Sequence, residues 1–118
     1  MSSVLFLVRS APAGSLRARE ALDAALLFSA FMPRLAVLFS GDGVWQLLAG
    51  QQAAATGAVP VAPVVGALPE YDIEQVFADA GALAERGIDR ARLLPGVQLL
   101  DDDGIRALLC GYDRVLTF

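Results

Sequence analysis

The chain has 118 residues, which is the size of a single domain, and its formal net charge is −4. All nine basic residues are arginines spread along the sequence, whereas binding to nucleic-acid phosphates favours a clustered basic stripe, so we expect no direct nucleic-acid binding. The chain contains no histidine, no lysine and only one cysteine, which excludes an intrachain disulfide, a P-loop lysine and a triad with imidazole as its base.

The first half of the chain alternates between strand and helix patterns. Residues 4–8 form a continuous apolar run that is typical of a strand covered on both faces of a parallel sheet, and residues 35–39 repeat it. Between these runs, residues 16–31 place apolar side chains at helical spacing until Pro33 ends the helix. After a Ser-Gly-Asp-Gly turn, residues 44–50 are predicted to form a short second helix.

Residues 44–69 carry no charge and have to be tested as a membrane segment, because 56% of the chain is hydrophobic. Three glutamines and three prolines interrupt the stretch, so we predict no membrane-spanning helix. Residues 55–71 are instead predicted to be a packed irregular connection that includes a short helix. The N-terminus lacks the basic region of a secretory signal, so the protein is expected to be cytoplasmic, and its surplus of apolar residues predicts a protein–protein interface.

The second half of the chain predicts three more strands and two helices. Strands are expected over residues 72–78, 97–100 and 114–118, and helices over residues 81–86 and 102–110. Together the elements predict a five-stranded, mainly parallel sheet in a three-layer α/β sandwich, built as a single domain over residues 1–118.

Three loops follow the carboxyl ends of predicted strands, where open α/β sheets place their binding sites: residues 9–15, 40–43 and 78–81. The glycines of the second loop allow backbone amides to approach a phosphate, but Asp42 would repel that anion and suits an N-cap of the following helix better. We therefore expect a capped tight turn. A small nucleotide or flavin binder that uses residues 10–15 and 40–43 is the alternative.

Other groups with possible chemistry are few. Cys110 is the only thiol, and its neighbours Leu108 and Leu109 predict a buried hydrophobic residue without a nearby histidine or lysine to favour the thiolate. Sulfur transfer by Cys110 itself is the alternative from the enzyme class. The consecutive carboxylates of residues 101–103 cannot converge on one point, so they predict a solvated helix start, and no metal or cofactor is expected.

Five segments of the chain carry a family resemblance. They read REALDA at 19–24, LAV at 35–37, GDGVWQLLAGQ at 41–51, YDIEQ at 71–75 and YDRVLTF at 112–118. In sequence and spacing they resemble the DsrE/DsrF-like family, and within it the DsrF-type subunits, over nearly the whole chain. The third segment is the most distinctive of the five.

The resemblance implies a subunit of a sulfur relay complex, in which a persulfide is passed toward 2-thiouridine at the wobble position of tRNA. A DsrF-type subunit in dissimilatory sulfur oxidation is the alternative. The implied partners are TusB-like and TusD-like sibling subunits in a dimer of heterotrimers. The cysteine of the catalytic sibling corresponds to about Ala78 here, so no thiol is present and an accessory role without catalysis is expected.

A partner interface is therefore expected in place of a catalytic site. The turn at residues 40–43 is predicted to direct the following helix so that its apolar residues are held for packing and for a sibling subunit. The interface residues predicted in this way are Asp42, Val44, Trp45, Leu47, Leu48, Ala78 and Asp79.

Overall fold

The computed structural model describes residues 3–11, 17–32, 34–48, 68, 73 and 75–118. The strands of this part of the chain are β1 (Ser3–Val8), β2 (Arg34–Phe39), β3 (Gln75–Asp79), β4 (Gln98–Leu100) and β5 (Arg114–Thr117). The α-helices are α1 (Arg17–Phe28), α2 (Ala80–Glu85) and α3 (Asp102–Cys110), with 3₁₀ helices at Gly41–Leu47 and Arg90–Arg92. None of the described helices is long and apolar enough to cross a membrane.

The strands form one sheet in the order β4-β3-β2-β1-β5, and every pair is parallel. The register of β1 with β2 runs from Ser3 opposite Arg34 to Val8 opposite Phe39. β1 is an almost entirely apolar segment because both of its faces are covered. Ser3 and Asp113 also join β1 to the start of β5 by two reciprocal hydrogen bonds of 3.0 Å, each from one backbone N–H to the other side chain.

Two clusters of apolar side chains cover the two faces of the sheet. The Phe6-side core contains Phe6, Val37, α1, the Gly41–Leu47 helix and α2, whereas the Leu5-side core contains Leu5, Leu38, Phe77 and the apolar residues of α3. Within the Phe6-side core, the Phe6 ring meets Phe28 edge-on at 5.6 Å and stacks on Phe118 at 5.5 Å. The predicted three-layer sandwich with a parallel five-stranded sheet is confirmed.

Most element boundaries lie within one residue of prediction, and larger differences occur in three places. α1 ends at Phe28 rather than at residue 31, and β3 covers Gln75–Asp79 rather than residues 72–78, although Ile73 before it is also buried. The helix after β2 is a 3₁₀ helix that begins at Gly41, three residues earlier than predicted. The predicted irregular connection at residues 55–71 lies outside the described residues except for Leu68, which is fully buried.

The expectation that Cys110 is buried is wrong, because the residue is exposed. α3 contacts the sheet through Ile105, Leu108 and Leu109, and none of its residues is fully buried. Successive residues of an α-helix are rotated by about 100°, so Cys110 turns away from the surface that Leu109 contacts. Apolar neighbours in sequence do not guarantee burial in the last turn of a helix that is covered on one side only.

Candidate functional site

The end of β3 is the position at which the resemblance implies the sulfur-carrying cysteine of a sibling subunit. Ala78 is fully buried there, in register with Phe39 of β2 and Leu99 of β4. The next residue, Asp79, is half-buried and is the N-cap of α2. Its Oδ1 accepts a hydrogen bond from the Ala82 N–H at 3.2 Å, and its Oδ2 accepts one from Ser40 Oγ at 3.0 Å. A methyl group in the core and a fully engaged carboxylate therefore occupy this position.

The Gly-Asp-Gly turn after β2 is explained by close packing against β1. A Cβ at Gly43 would lie 2.1 Å from Val8 O, a separation that real Cβ atoms do not show, so only glycine fits. Gly41 has φ of 53°, a left-handed conformation that glycine adopts without strain. Both glycines thus let the 3₁₀ helix begin directly against the end of β1.

Asp42 does not cap this helix, contrary to the prediction. Ser40 holds the N-cap position, and its side chain makes no capping bond because its hydroxyl is directed to Asp79. Asp42 lies in the first turn, where its Oδ1 accepts hydrogen bonds from Arg86 Nε at 3.2 Å and Nη2 at 3.0 Å. The Asp42 carboxylate therefore has a counter-ion, which the sequence did not indicate because the two residues are 44 positions apart.

Arg86 links the helices that follow β2 and β3. Besides the ion pair with Asp42, its Nη1 donates to Ala82 O at 3.1 Å and lies 3.7 Å from Glu85 Oε2. The Arg86 side chain is only 22% exposed. Arginine at the C-terminal end of α2 interacts favourably with the last carbonyls of that helix, so Arg86 stabilises α2 and fixes its position beside the turn.

Gln46, in the segment at residues 41–51, is fully buried although it is polar. No role for it was predicted from the sequence. Its Nε2 donates to Ser10 O at 2.7 Å, which holds the loop after β1 against the Gly41–Leu47 helix. Its Oε1 is buried and has no hydrogen-bond partner among the described residues. A glutamine between Trp45 and Leu47 in an otherwise apolar segment was the available signal for such a contact.

The predicted interface residues fall into two groups. Val44 and Leu47 are fully buried, as is Ala78, so these three form core rather than surface, and their inclusion in a contact surface is corrected here. A 3₁₀ helix has three residues per turn, which places residues 44 and 47 on the same side, against the sheet. Trp45 and Leu48 pack against the Phe6-side core but are only partly buried. Asp42 is exposed and Asp79 is half-buried.

Two adjoining clefts open at this carboxyl edge of the sheet. The first has a volume of about 350 Å³ and is lined by Arg9, Ser10, Gly41, Asp42, Arg86, Thr117 and Phe118. The second has a volume of about 270 Å³ and is lined by Arg9, Ser40, Gly41, Asp79, Gly81, Ala82, Glu85, Arg86 and Asp102. Among the described residues there is no group of three or more histidine, cysteine, aspartate or glutamate side chains arranged to hold a metal ion.

Cys110 lies near the amino ends of the strands, whereas the clefts lie at their carboxyl ends. It ends α3, which returns from the carboxyl end of β4 toward the amino ends of the strands. The adjacent Gly111 is close to Arg34, the first residue of β2: a Cβ on Gly111 would lie 3.8 Å from an Arg34 guanidinium nitrogen. The thiol and the end of β3 therefore belong to different surfaces.

Comparison with protein-family models matches residues 2–118 to the DsrE/DsrF-like family. The chain belongs to the DsrE/DsrF-like family. This confirms the resemblance carried by the five sequence segments. The structure of the YchN protein from Escherichia coli matches the fold with a TM-score of 0.85 at 22% identity, covering all of both chains. At that identity the likeness concerns the fold alone.

Curated relatives within the DsrE/DsrF-like family carry the name TusC. The chain is 40% identical over 118 residues to "Protein TusC homolog" from Vibrio parahaemolyticus, with full coverage of both chains. It is also 40% identical over 119 aligned residues to "Protein TusC" from Shigella flexneri, again with full coverage of both.

Proposed function

We propose that this protein is the TusC-type, non-catalytic subunit of a sulfur relay complex that delivers persulfide sulfur toward 2-thiouridine at the wobble position of tRNA. Full-length identity of 40% to relatives named TusC supports this assignment. The assignment of this subunit as non-catalytic rests on Ala78 and Asp79 at the end of β3.

A persulfide relay requires a thiolate that first attacks a sulfur donor and is then attacked by the acceptor. Ala78 has no nucleophile and is fully buried. Asp79 uses both carboxylate oxygens to support the fold, one for the N-terminus of α2 and one for Ser40. Cys110 is exposed, but it lies near the amino ends of the strands and not at the end of β3. The isolated chain therefore neither accepts nor passes on sulfur at the family position.

The role left to this chain is assembly with TusB-like and TusD-like siblings, in a dimer of heterotrimers in the cytoplasm. Two features support an assembly role. Trp45 and Leu48 are apolar residues that the described fold covers only in part. Large apolar side chains are also strongly exposed elsewhere, with Leu27 at 63% and Phe31 at 76%. Asp42, Trp45, Leu48 and Asp79 are the residues that we assign to the contact with a sibling.

Co-expression with the two sibling subunits tests the proposal. The chain should co-purify with both, and a persulfide-labelling reagent applied after incubation with a sulfur donor should mark the sibling that carries the cysteine. The same treatment of the isolated chain should leave it without a transferable persulfide. Sulfur transfer by the isolated chain to an acceptor protein, or failure to co-purify with either sibling, would contradict the assignment.

A further inference from the structure

Arg9 directly follows β1, at the carboxyl ends of the parallel strands. It is exposed, and within the described part of the chain its guanidinium makes no hydrogen bond or ion pair. Its location is nevertheless defined, because its backbone N–H donates to Phe118 O at 2.8 Å and a Cβ on Gly41 would lie 3.8 Å from Arg9 Nε. Arg9 is therefore a cation placed near the start of the Gly41–Leu47 helix, with no counter-ion among the described residues.

The charges around the two clefts decide on which side of Arg9 an anion is favoured. The second cleft contains Asp79, Glu85 and Asp102 beside the two arginines, so carboxylates outnumber cations there. Among the described residues that line the first cleft, Asp42 has the only side-chain carboxylate, and Arg86 already compensates it through two hydrogen bonds. Since no described carboxylate forms an ion pair with Arg9, its positive charge in the first cleft can attract an anion.

The remaining lining of the first cleft suits an oxyanion with an apolar body. Ser10 and Thr117 also line this cleft, and neither hydroxyl makes a hydrogen bond with a described group. A hydroxyl can rotate to donate to an oxyanion. Phe118 contributes an aromatic surface that is only partly buried. A volume of about 350 Å³ is within the range of small-molecule sites.

We propose that the cleft formed by Arg9, Ser10 and Thr117 binds the oxyanion group of a small molecule, a carboxylate or a phosphate. Arg9 supplies the charge and a planar set of N–H donors, and the two hydroxyls supply further donors. The site does not depend on the subunit role proposed above. Asp42 lines the cleft and is also assigned to the sibling contact, but Arg9, Ser10 and Thr117 are not.

Titration of the isotope-labelled protein with inorganic phosphate and, separately, with acetate tests this site by NMR, at constant ionic strength adjusted with chloride. Either anion, added to about 20 mM, should shift the amide signals of Ser10, Gly41 and Thr117 in a saturable manner. Arg9→Gln should weaken the binding at least tenfold. Thr117→Val should weaken it about threefold to tenfold, as expected for one hydrogen bond. The ranking of the two anions then identifies the class of oxyanion.

Arg114→Gln is the matched control, since Arg114 is also exposed, makes no ion pair with a described residue and begins the strand that Thr117 ends. It removes the same charge at the amino end of β5, and it should leave the titration unchanged. The proposal is overturned if neither anion shifts these three amides, if Arg9→Gln binds as the unchanged protein does, or if Arg114→Gln weakens binding equally. Co-purification with siblings reports on the subunit role separately.

Discussion

Ser40 Oγ donates a hydrogen bond to Asp79 Oδ2 across 3.0 Å, and this joins the residue after β2 to the residue that ends β3. The Ser40 N–H also donates to Val8 O at 3.0 Å. One residue therefore ties together the carboxyl ends of three neighbouring strands. At the position where a sibling subunit is expected to carry its cysteine, this chain has an aspartate that is hydrogen-bonded to Ser40 and to the N-terminus of α2.

Asp79→Ala should lower the free energy of unfolding by about 1 to 3 kcal/mol, because it removes the N-cap of α2 and leaves the Ser40 hydroxyl without its acceptor. Asp101→Ala is the control, since Asp101 caps α3 through a single bond of 2.8 Å to Gly104 N and is exposed. Urea denaturation of both variants measures the difference. An Asp79→Ala cost no larger than that of Asp101→Ala would show that the link to Ser40 contributes nothing.

Ala78→Cys should not restore a sulfur carrier, because the side chain at this position is fully buried in the Phe6-side core. In a Cys110→Ser background, the introduced thiol should react with a thiol-specific reagent only when the protein is unfolded. The exposed Cys110 of the unchanged chain should react readily in the folded state and serves as the reference. Rapid labelling of the introduced thiol in folded protein, or persulfide formation on it, would contradict the burial argument.

Gly43→Ala should be among the most destabilising small substitutions in the chain. Its Cβ would lie 2.1 Å from Val8 O, so the backbone of either β1 or the Gly41–Leu47 helix has to move, and a loss of about 3 kcal/mol or more is expected. Gly111→Ala provides the comparison, because its Cβ would meet only ordinary contacts at 3.4 Å and beyond. Thermal unfolding should separate the two variants clearly, and similar midpoints would count against the close approach.

Asp42→Arg should weaken co-purification with the sibling subunits, because it reverses a charge within the proposed contact. The fold should tolerate the change, since Asp42 is 62% exposed and a surface ion pair contributes about 1 kcal/mol or less. Asp23→Arg is matched to it, as Asp23 is 58% exposed and pairs with Arg19. We expect about tenfold less complex for Asp42→Arg alone. Equal yields for both variants would remove Asp42 from the interface.

The apolar strands were predictable because each of the patterns has a local cause. β1 and β2 read as continuous apolar runs since both faces of the sheet are covered, and α3 was placed correctly from its acidic first turn. What could not be predicted depends on contacts distant in sequence. Neither the pairing of Asp42 with Arg86 nor the approach of Gly43 to Val8 leaves a pattern in the local sequence. Both contacts determine where the turn after β2 lies.

The two clefts adjoin loops that the sequence pointed to. The rule that binding sites follow the carboxyl ends of strands pointed to residues 9–15, 40–43 and 78–81, and residues of these loops line the clefts. Arg9 and Arg86 were not singled out, because an isolated arginine in a sequence carries no sign of whether it has a counter-ion. Val44 and Leu47 were assigned to a contact surface although they are buried. The sequence could not exclude this, because the type of helix and its rotation against the sheet depend on packing.

The two reciprocal hydrogen bonds between Ser3 and Asp113 connect residues that are 110 positions apart. β1 is therefore paired on one side with a strand that is synthesised after the other four. During translation the nascent polypeptide can align β1 with β2 early, but this side of β1 stays unpaired until β5 has left the ribosome. Since pairings between distant segments form slowly, a strand rich in valine, leucine and phenylalanine is open to aggregation or chaperone capture until that pairing forms.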